Sequence, residues 1–347
     1  MSNTKNYKLA ILGATGAVGQ KILATLDSRD FPIKHIKLLS SPRSAGKEVK
    51  FKGETIIVEE ATPESFEDVD IAFFSAGGSV SKQLAKEAVK RGAVVVDNTS
   101  AFRMDQDVPL VVPEVNASAL KDHQGIIANP NCSTIQMVTA LKPIKEKYGL
   151  KRVIVSTYQS VSGAGAQAVE ELRKQSEAYL NGEEITPELL PVKGESNHYP
   201  IAFNALPQID VFDENGYTFE EMKMINETRK ILNNADLSVA ATCVRVPFFT
   251  SHAESVYIEV EKDASVLDIQ ARLKEAPGII LKDNPATQDY PTPLDASGKP
   301  DVFVGRIRKD LDHEFGFHMW IVSDNLLKGA ALNSVQIAES MIENDWL

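Results

Sequence analysis

Apolar residues come along this chain in short continuous runs separated by amphipathic stretches. Tyr7 to Leu12 is a run of buried-strand length, the small-residue stretch Gly13 to Gly19 follows, and Gln20 to Leu26 turns Ile22, Leu23 and Leu26 to one side of a helix. Ile36 to Leu39, Ile71 to Phe74 and Val94 to Val96 read as further strands, with a helical stretch over Lys82 to Arg91 between the last two. Strands alternating with helices predict an α/β fold with a parallel sheet covered on both faces. Ligands of such sheets lie beyond the carboxyl ends of the strands, so Ser75-Ala76-Gly77-Gly78-Ser79 and Asp97-Asn98-Thr99-Ser100 are expected to line a cleft. Later, Ile135, Val138 and Leu141 mark a helix that Cys132 opens and that Pro143 should kink or end, and Val239 to Val246 reads as a strand. Leu332 to Ile342 predicts a last helix, with Val335, Ile337, Ala338 and Met341 able to pack back on the first sheet. Tyr179 to Tyr217, rich in Pro and Asn, reads as too irregular for core and as a lobe or partner contact.

The length, 347 residues, suits about two domains. Lys plus Arg is 37 against 48 for Asp plus Glu, a net charge of −11 that argues against nucleic acid and anionic membrane surfaces as partners. No apolar run approaches the ~18 residues of a spanning helix. The opening residues, Met1 to Asn6, are polar, so a cytoplasmic protein is expected. Two cysteines supply neither a disulfide framework nor metal-ligand spacing, and no metal is expected.

The candidate chemistry begins at the first turn. Glycine permits a sharp turn and close approach to a pyrophosphate, whose charge the helix N-terminus meets, although Gly16 follows Gly13 at an offset of three rather than in the usual G-x-G-x-x-G pattern. After the second strand come Ser40, Ser41, Arg43 and Ser44, with no acid until Glu48, which favours the 2′-phosphate of NADP over the ribose hydroxyl of NAD. Cys132 stands at a predicted helix start between Asn131 and Ser133, where the helix dipole favours a thiolate nucleophile. Cys243, in an apolar strand, reads as core. Of the six histidines spacing selects none: His252 lies in the polar turn Thr250 to Ala253, and His313 and His318 are rivals as the acid/base. Arg103, placed near the end of a sheet strand, could hold a carboxylate or phosphate. Glu220 and Lys223, three apart on one helix face, read by spacing alone as a solvated ion pair.

Val239 to Ala253, with Cys243-Val244-Arg245-Val246 and Ser251-His252-Ala253, together with Asn129-Pro130-Asn131-Cys132, Gly13 to Gly19 and Asp324 to Ala331, resembles the aspartate-semialdehyde dehydrogenase family nearly end to end. The resemblance implies a Rossmann-type NADP-binding domain over 1–131 and 330–347, and an α+β catalytic and dimerisation domain over 132–329, like that of glyceraldehyde-3-phosphate dehydrogenase. It implies Cys132 as nucleophile, His252 as acid/base, and Gln159 orienting the thioacyl group. Arg245 would hold the substrate carboxylate with Glu220 near its ammonium, and Arg103, Asn131 and Lys223 would form the phosphate site. Gly13, Thr15, Gly16, Ala17, Val18, Ser40, Ser41, Arg43, Ser44, Ser75, Ala76, Gly77, Ser162, Gly163 and Gln336 would meet the cofactor. The implied reaction is NADPH-dependent, reversible conversion of L-4-aspartyl phosphate to L-aspartate 4-semialdehyde and phosphate by a homodimer, in the biosynthesis of lysine, threonine, methionine and diaminopimelate. The alternatives are N-acetyl-γ-glutamyl-phosphate reductase, which needs no Glu220 for a free ammonium, glyceraldehyde-phosphate oxidation, which the residues around Cys132 disfavour, a cysteine hydrolase, and a non-catalytic NADP-binding protein.

Overall fold

A computed structural model describes residues 5–347; Met1 to Thr4, part of the polar lead, lie outside the described residues. Two compact units divide the chain, one built from residues up to Asn131 together with Ala330–Leu347, the other from Cys132–Gly329.

The first unit contains β1 (Tyr7–Leu12), α1 (Ala17–Ser28), β2 (Ile33–Ser40), β3 (Glu48–Phe51), β4 (Glu54–Ile57), β5 (Glu59–Glu60), β6 (Ile71–Phe74), α2 (Gly78–Lys90), β7 (Val94–Asp97), the short α3 (Pro113–Asn116) and β8 (Ile126–Ala128). Its parallel sheet runs β5-β2-β1-β6-β7-β8, and β3 and β4 form a separate hairpin. Leu9, Ile11, Phe73 and Val96 are fully buried, which is why these strands read as apolar runs without alternation. The expected α/β class is borne out. Ile22, Leu23 and Leu26 of α1 are buried as the periodicity predicts.

The second unit opens with α4 (Cys132–Tyr148), followed by β9 (Arg152–Gln159), α5 (Ala166–Leu180), α6 (Phe219–Ile231), β10 (Ser238–Arg245), β11 (His252–Glu259), α7 (Val266–Glu275), β12 (Ile279–Leu281), α8 (Pro293–Ala296), β13 (Val302–Lys309) and β14 (Gly316–Ser323). The closing helix α9 (Leu332–Glu343) belongs to the first unit, where Val335, Ile337, Ala338 and Met341 join the core beside Leu9, Ile11 and Val96. The second unit's mixed sheet runs β10-β9-β11-β14-β13-β12. Helices α4, α6 and α7 pack on one face, while the other leaves Ile154 and Tyr158 each 36% exposed, with Tyr158 stacked on Trp320 at 5.3 Å.

Of the two outcomes expected at Pro143 one is excluded, and the reading of one loop needs correction. Helix α4 does not end at Pro143 but continues to Tyr148, because Leu141, Ile144 and Tyr148 are buried on either side of the proline and their packing outweighs its penalty of about 3 kcal/mol. The stretch Tyr179 to Tyr217 is not purely peripheral. Its Leu190, Ile201, Ala202 and Leu206 form a small core with Val161, Ala168 and Leu172. Two α5 side chains order it: Glu171 Oε1 accepts from Glu188 N and Leu189 N, and Gln175 Oε1 accepts from Ile201 N and Ala202 N. Polar anchors from a neighbouring helix replace the regular periodicity that a sequence would show. Among the described residues no helix is long and apolar enough to cross a membrane.

Candidate active site

Side chains two apart on a strand share a face, so strand register decides what meets in the second unit. Gln159 ends β9 opposite Arg245, which ends β10. His252 opens β11, one step beyond the Ala253–Tyr158 pair, and lies opposite Ser323 of β14. Four strand ends thus bring Arg245, Gln159, His252 and Ser323 together on the face that carries α4. Cys132, partly exposed, is the first residue of that helix and is close enough to Arg245 to act on its charge. Gly329 presses on the start of α4 so closely that a Cβ there would stand 2.8 Å from Cys132 Cβ.

The hydrogen bonds are specific. Gln159 Nε2 donates to Glu220 Oε1 at 3.0 Å, and its own oxygen accepts from Thr157 Oγ1 at 3.0 Å. Lys223 Nζ donates to Glu220 Oε2 at 3.2 Å and to Asp210 Oδ2 at 2.8 Å. Glu220 is only 6% exposed, so the solvated-pair reading of Glu220 and Lys223 is overturned: α6 lays this face against β10 rather than water. Burial pulls the Lys223 ammonium down, and the Glu220 and Asp210 carboxylates more than reverse it, leaving its pKa raised. Arg245 Nη1 donates to Ser160 O at 2.8 Å, and burial lowers the guanidinium's pKa.

His252 is fully buried and opens β11 rather than lying within a polar turn. Its Nδ1 accepts from the backbone N–H of Ser160 at 3.0 Å. A backbone N–H can only donate, so the neutral ring carries its proton on Nε2. Burial, helped by the Arg245 charge, lowers the imidazole pKa to about 3. Two buried donors, Arg245 Nε and His252 Nε2, have no hydrogen-bond partner among the described residues. They lie beside Gly163, where an added Cβ would stand 3.1 Å from Arg245 Nη1 and 3.3 Å from His252 Nε2. The rival histidines fall away. His318 sits five positions from Ser323 along β14, about 17 Å of strand, paired with Asp310 at 2.8 Å, and His313 lies in the exposed turn before that strand. Cys243 is buried core as expected, with Sγ 3.7 Å from Met224 Sδ and a thiol pKa pushed well up by burial.

The first unit gathers its own set of predicted residues. Gly13, at φ +90°, packs so tightly on Ser75 that a Cβ would meet Ser75 Oγ at 2.8 Å, and its N–H donates to Leu39 O. Thr15 Oγ1 is 3.3 Å from Ser40 Oγ, so the turn after β1 meets the ends of β2 and β6. Gly16 caps α1, whose first turn holds Ala17 and Val18 and no acid. Pro42–Ser44 forms a 3-10 turn that leaves Arg43 and Ser41 exposed. Gly77, with φ +99°, caps α2 after Ala76. These features fit a phosphorylated dinucleotide: a cradle only glycine leaves open, an unblocked helix start, and hydroxyls with a guanidinium where an acid would repel phosphate. Arg103 lies not at a strand end but in the loop six residues beyond Asp97, buried, with Nε donating to Asn129 O and Nη2 to Asn98 O, both at 2.9 Å. Asn131 is buried, and Gln336 Nε2 donates to Glu114 Oε1 at 3.0 Å.

Known proteins share both halves of this arrangement. Residues 8–123 match the model described as semialdehyde dehydrogenase, NAD binding domain, and residues 141–328 the model described as semialdehyde dehydrogenase, dimerisation domain. A Bacillus subtilis (strain 168) protein named aspartate-semialdehyde dehydrogenase is 68% identical over 338 residues, 97% of this chain and 98% of that one. The chain belongs to the aspartate-semialdehyde dehydrogenase family. A solved family member, aspartate semialdehyde dehydrogenase II from Vibrio cholerae complexed with ASA, superposes with a TM-score of 0.93 at 46% identity, covering 98% of this chain and 99% of that one. A second, from Candida albicans with NADP, gives 0.77 at 27% identity, covering 99% and 100%. Sequence reasoning missed Ser160 and Asn325. Asn325 falls within the Asp324 to Ala331 segment that carries the resemblance, and each lies within two residues of a strand end, but the bond that joins them is not written locally.

Proposed function

We propose that this chain catalyses the reversible, NADPH-dependent conversion of L-4-aspartyl phosphate to L-aspartate 4-semialdehyde and phosphate through a thioester on Cys132. The observation that carries the reading is the pair of buried donors without partners, Arg245 Nε and His252 Nε2, beside Gly163 in the unit that Cys132 opens. A buried donor left unpaired costs about 1–3 kcal/mol, so such a pair is a site for oxygen atoms of a ligand.

Cys132 Sγ attacks the acyl carbon; a C–S bond forms, the C–O bond to phosphate breaks, and inorganic phosphate leaves. Bound NADPH supplies the hydride that reduces the thioester. The resulting thiohemiacetal oxygen is met by the Nε2–H of His252, and when the C–S bond breaks the aldehyde departs and Cys132 is regenerated. Arg245 holds the α-carboxylate, and Gln159 orients the acyl group while its amide fixes the Glu220 carboxylate that faces the substrate ammonium. Arg103, Asn131 and Lys223 hold the phosphate, Arg103 and Lys223 as cations and Asn131 as a neutral donor. The cofactor is held by the Gly13–Val18 turn, by Ser40, Ser41, Arg43 and Ser44 at its 2′-phosphate, and by Ser75, Ala76, Gly77, Ser162, Gly163 and Gln336. We place the enzyme in the cytoplasm as a homodimer whose subunits meet through the sheet face bearing Ile154, Tyr158 and Trp320.

The test is NADPH formation from aspartate semialdehyde, NADP and phosphate, followed by absorbance. Activity that requires phosphate and vanishes in Cys132→Ala, with NADPH affinity retained, is expected. Turnover in that variant, or reduction only of N-acetylglutamyl phosphate, would overturn the assignment.

A further inference from the structure

Ser251, the residue before His252, is fully buried with φ at +69°, the left-handed region in which a serine is strained. Its N–H donates to Asn325 Oδ1 at 2.9 Å. The same oxygen accepts from Ser160 Oγ and Ser162 Oγ, each at 3.2 Å, and Asn325 Nδ2 donates to Ser162 Oγ at 3.0 Å. One carboxamide therefore ties the segment after β9 to the segment before β11. Both segments converge on the imidazole: Ser251 carries it, and Ser160 supplies the N–H to its Nδ1, with Ser160 Oγ 3.1 Å from the same nitrogen. Asn325 is 2% exposed, so its four bonds are made out of reach of competing water.

We propose that Asn325 is a positioning residue for His252, holding Ser251 in its left-handed conformation and Ser160 against Nδ1 so that the ring proton stays on Nε2. The role of that proton rests on the reaction proposed above, but the seat of the ring does not. Without Asn325, Ser251 relaxes toward ordinary φ, the ring loses its fixed acceptor geometry, and Nδ1–H and Nε2–H forms exchange.

Asn325→Ala in the full chain is expected to lower kcat by tenfold to a hundredfold with NADPH affinity unchanged. Ser251→Gly added to it should recover much of the loss, because glycine takes a positive φ without help. Nitrogen-15 NMR of histidine-labelled protein reads the tautomer directly: Nδ1 unprotonated in the parent and in the double variant, mixed in Asn325→Ala. If the alanine variant fails to fold, Asn325→Asp keeps the shared oxygen and should keep the single tautomer, with a mixture there counting against the proposal. An unchanged kcat and tautomer in Asn325→Ala, a loss confined to NADPH affinity, or no gain from Ser251→Gly would overturn it. The NMR measurement needs no turnover, so failure of the proposed reaction would be seen separately.

Discussion

Burial takes the His252 imidazole from its ordinary value to about 3, with the Arg245 guanidinium adding to the effect. Between pH 6.5 and about 3 the unfolded chain binds a proton that the folded chain refuses. This residue's contribution to stability is therefore full above pH 6.5 and shrinks as the pH falls through that window, by up to about 1.4 kcal/mol per unit. Thermal melts of His252→Gln should lose less stability than the parent between pH 6.5 and 4; parallel curves would show that His252 is not buried neutral. Arg43 makes a different prediction, since it stands exposed in its turn and its guanidinium can reach a phosphate. Arg43→Ala should raise KM for NADP more than for NAD, and equal effects would make it a bystander. The position of Cys132 at a helix start was legible in the sequence. The surroundings of His252 were not, because the N–H, hydroxyl and charge around its imidazole come from Ser160 and Arg245, which lie outside its own strand.

Elements decide which faces are buried, and here sequence spacing misled. Glu220 and Lys223 are neighbours on α6 whether that face meets water or β10, so an i,i+3 pattern cannot tell a surface ion pair from a buried acid bonded to Gln159. The 3-10 turn Val161–Ala164 after β9 illustrates the reverse, a short element whose glycine is dictated by what lies opposite. Gly163→Ala should cut kcat/KM about tenfold or more by pushing on Arg245 and His252, while the melting temperature shifts little; full activity would mean that this face of the turn is not the substrate side. The continuation of α4 past its proline and the small core of the irregular lobe share a reason. Local propensity is worth a few kcal/mol at most, and buried contacts made with distant segments exceed it.

At the scale of the molecule, the charge of −11 coexists with buried guanidiniums, Arg245 in one unit and Arg103 in the other, so net charge describes the outer surface and solubility rather than the interior. The homodimer proposed above meets through the open face of the second sheet, where Ile154 and Tyr158 are each 36% exposed. Tyr158→Asp should convert dimers to monomers in light scattering, since burying a carboxylate there would cost more than the stacked Tyr158–Trp320 pair contributes. Dimers of undiminished stability would place the subunit contact elsewhere.

Strand runs, helix starts and the parallel first sheet were determined by the order of residues alone, because each depends on neighbours within a few positions and on a period of two or 3.6. The place of Cys132 at a helix start was determined in the same way. Only the tertiary structure set His252, and not His313 or His318, beside Arg245 and Gln159, buried Glu220, and brought Asn325 to Ser160 and Ser251. Those outcomes follow from strand pairing and side-chain hydrogen bonds between residues far apart in the chain, 165 positions in the case of Ser160 and Asn325. Which two ends of a sheet come to lie side by side is a property of the whole chain's packing and is written in no short stretch of it.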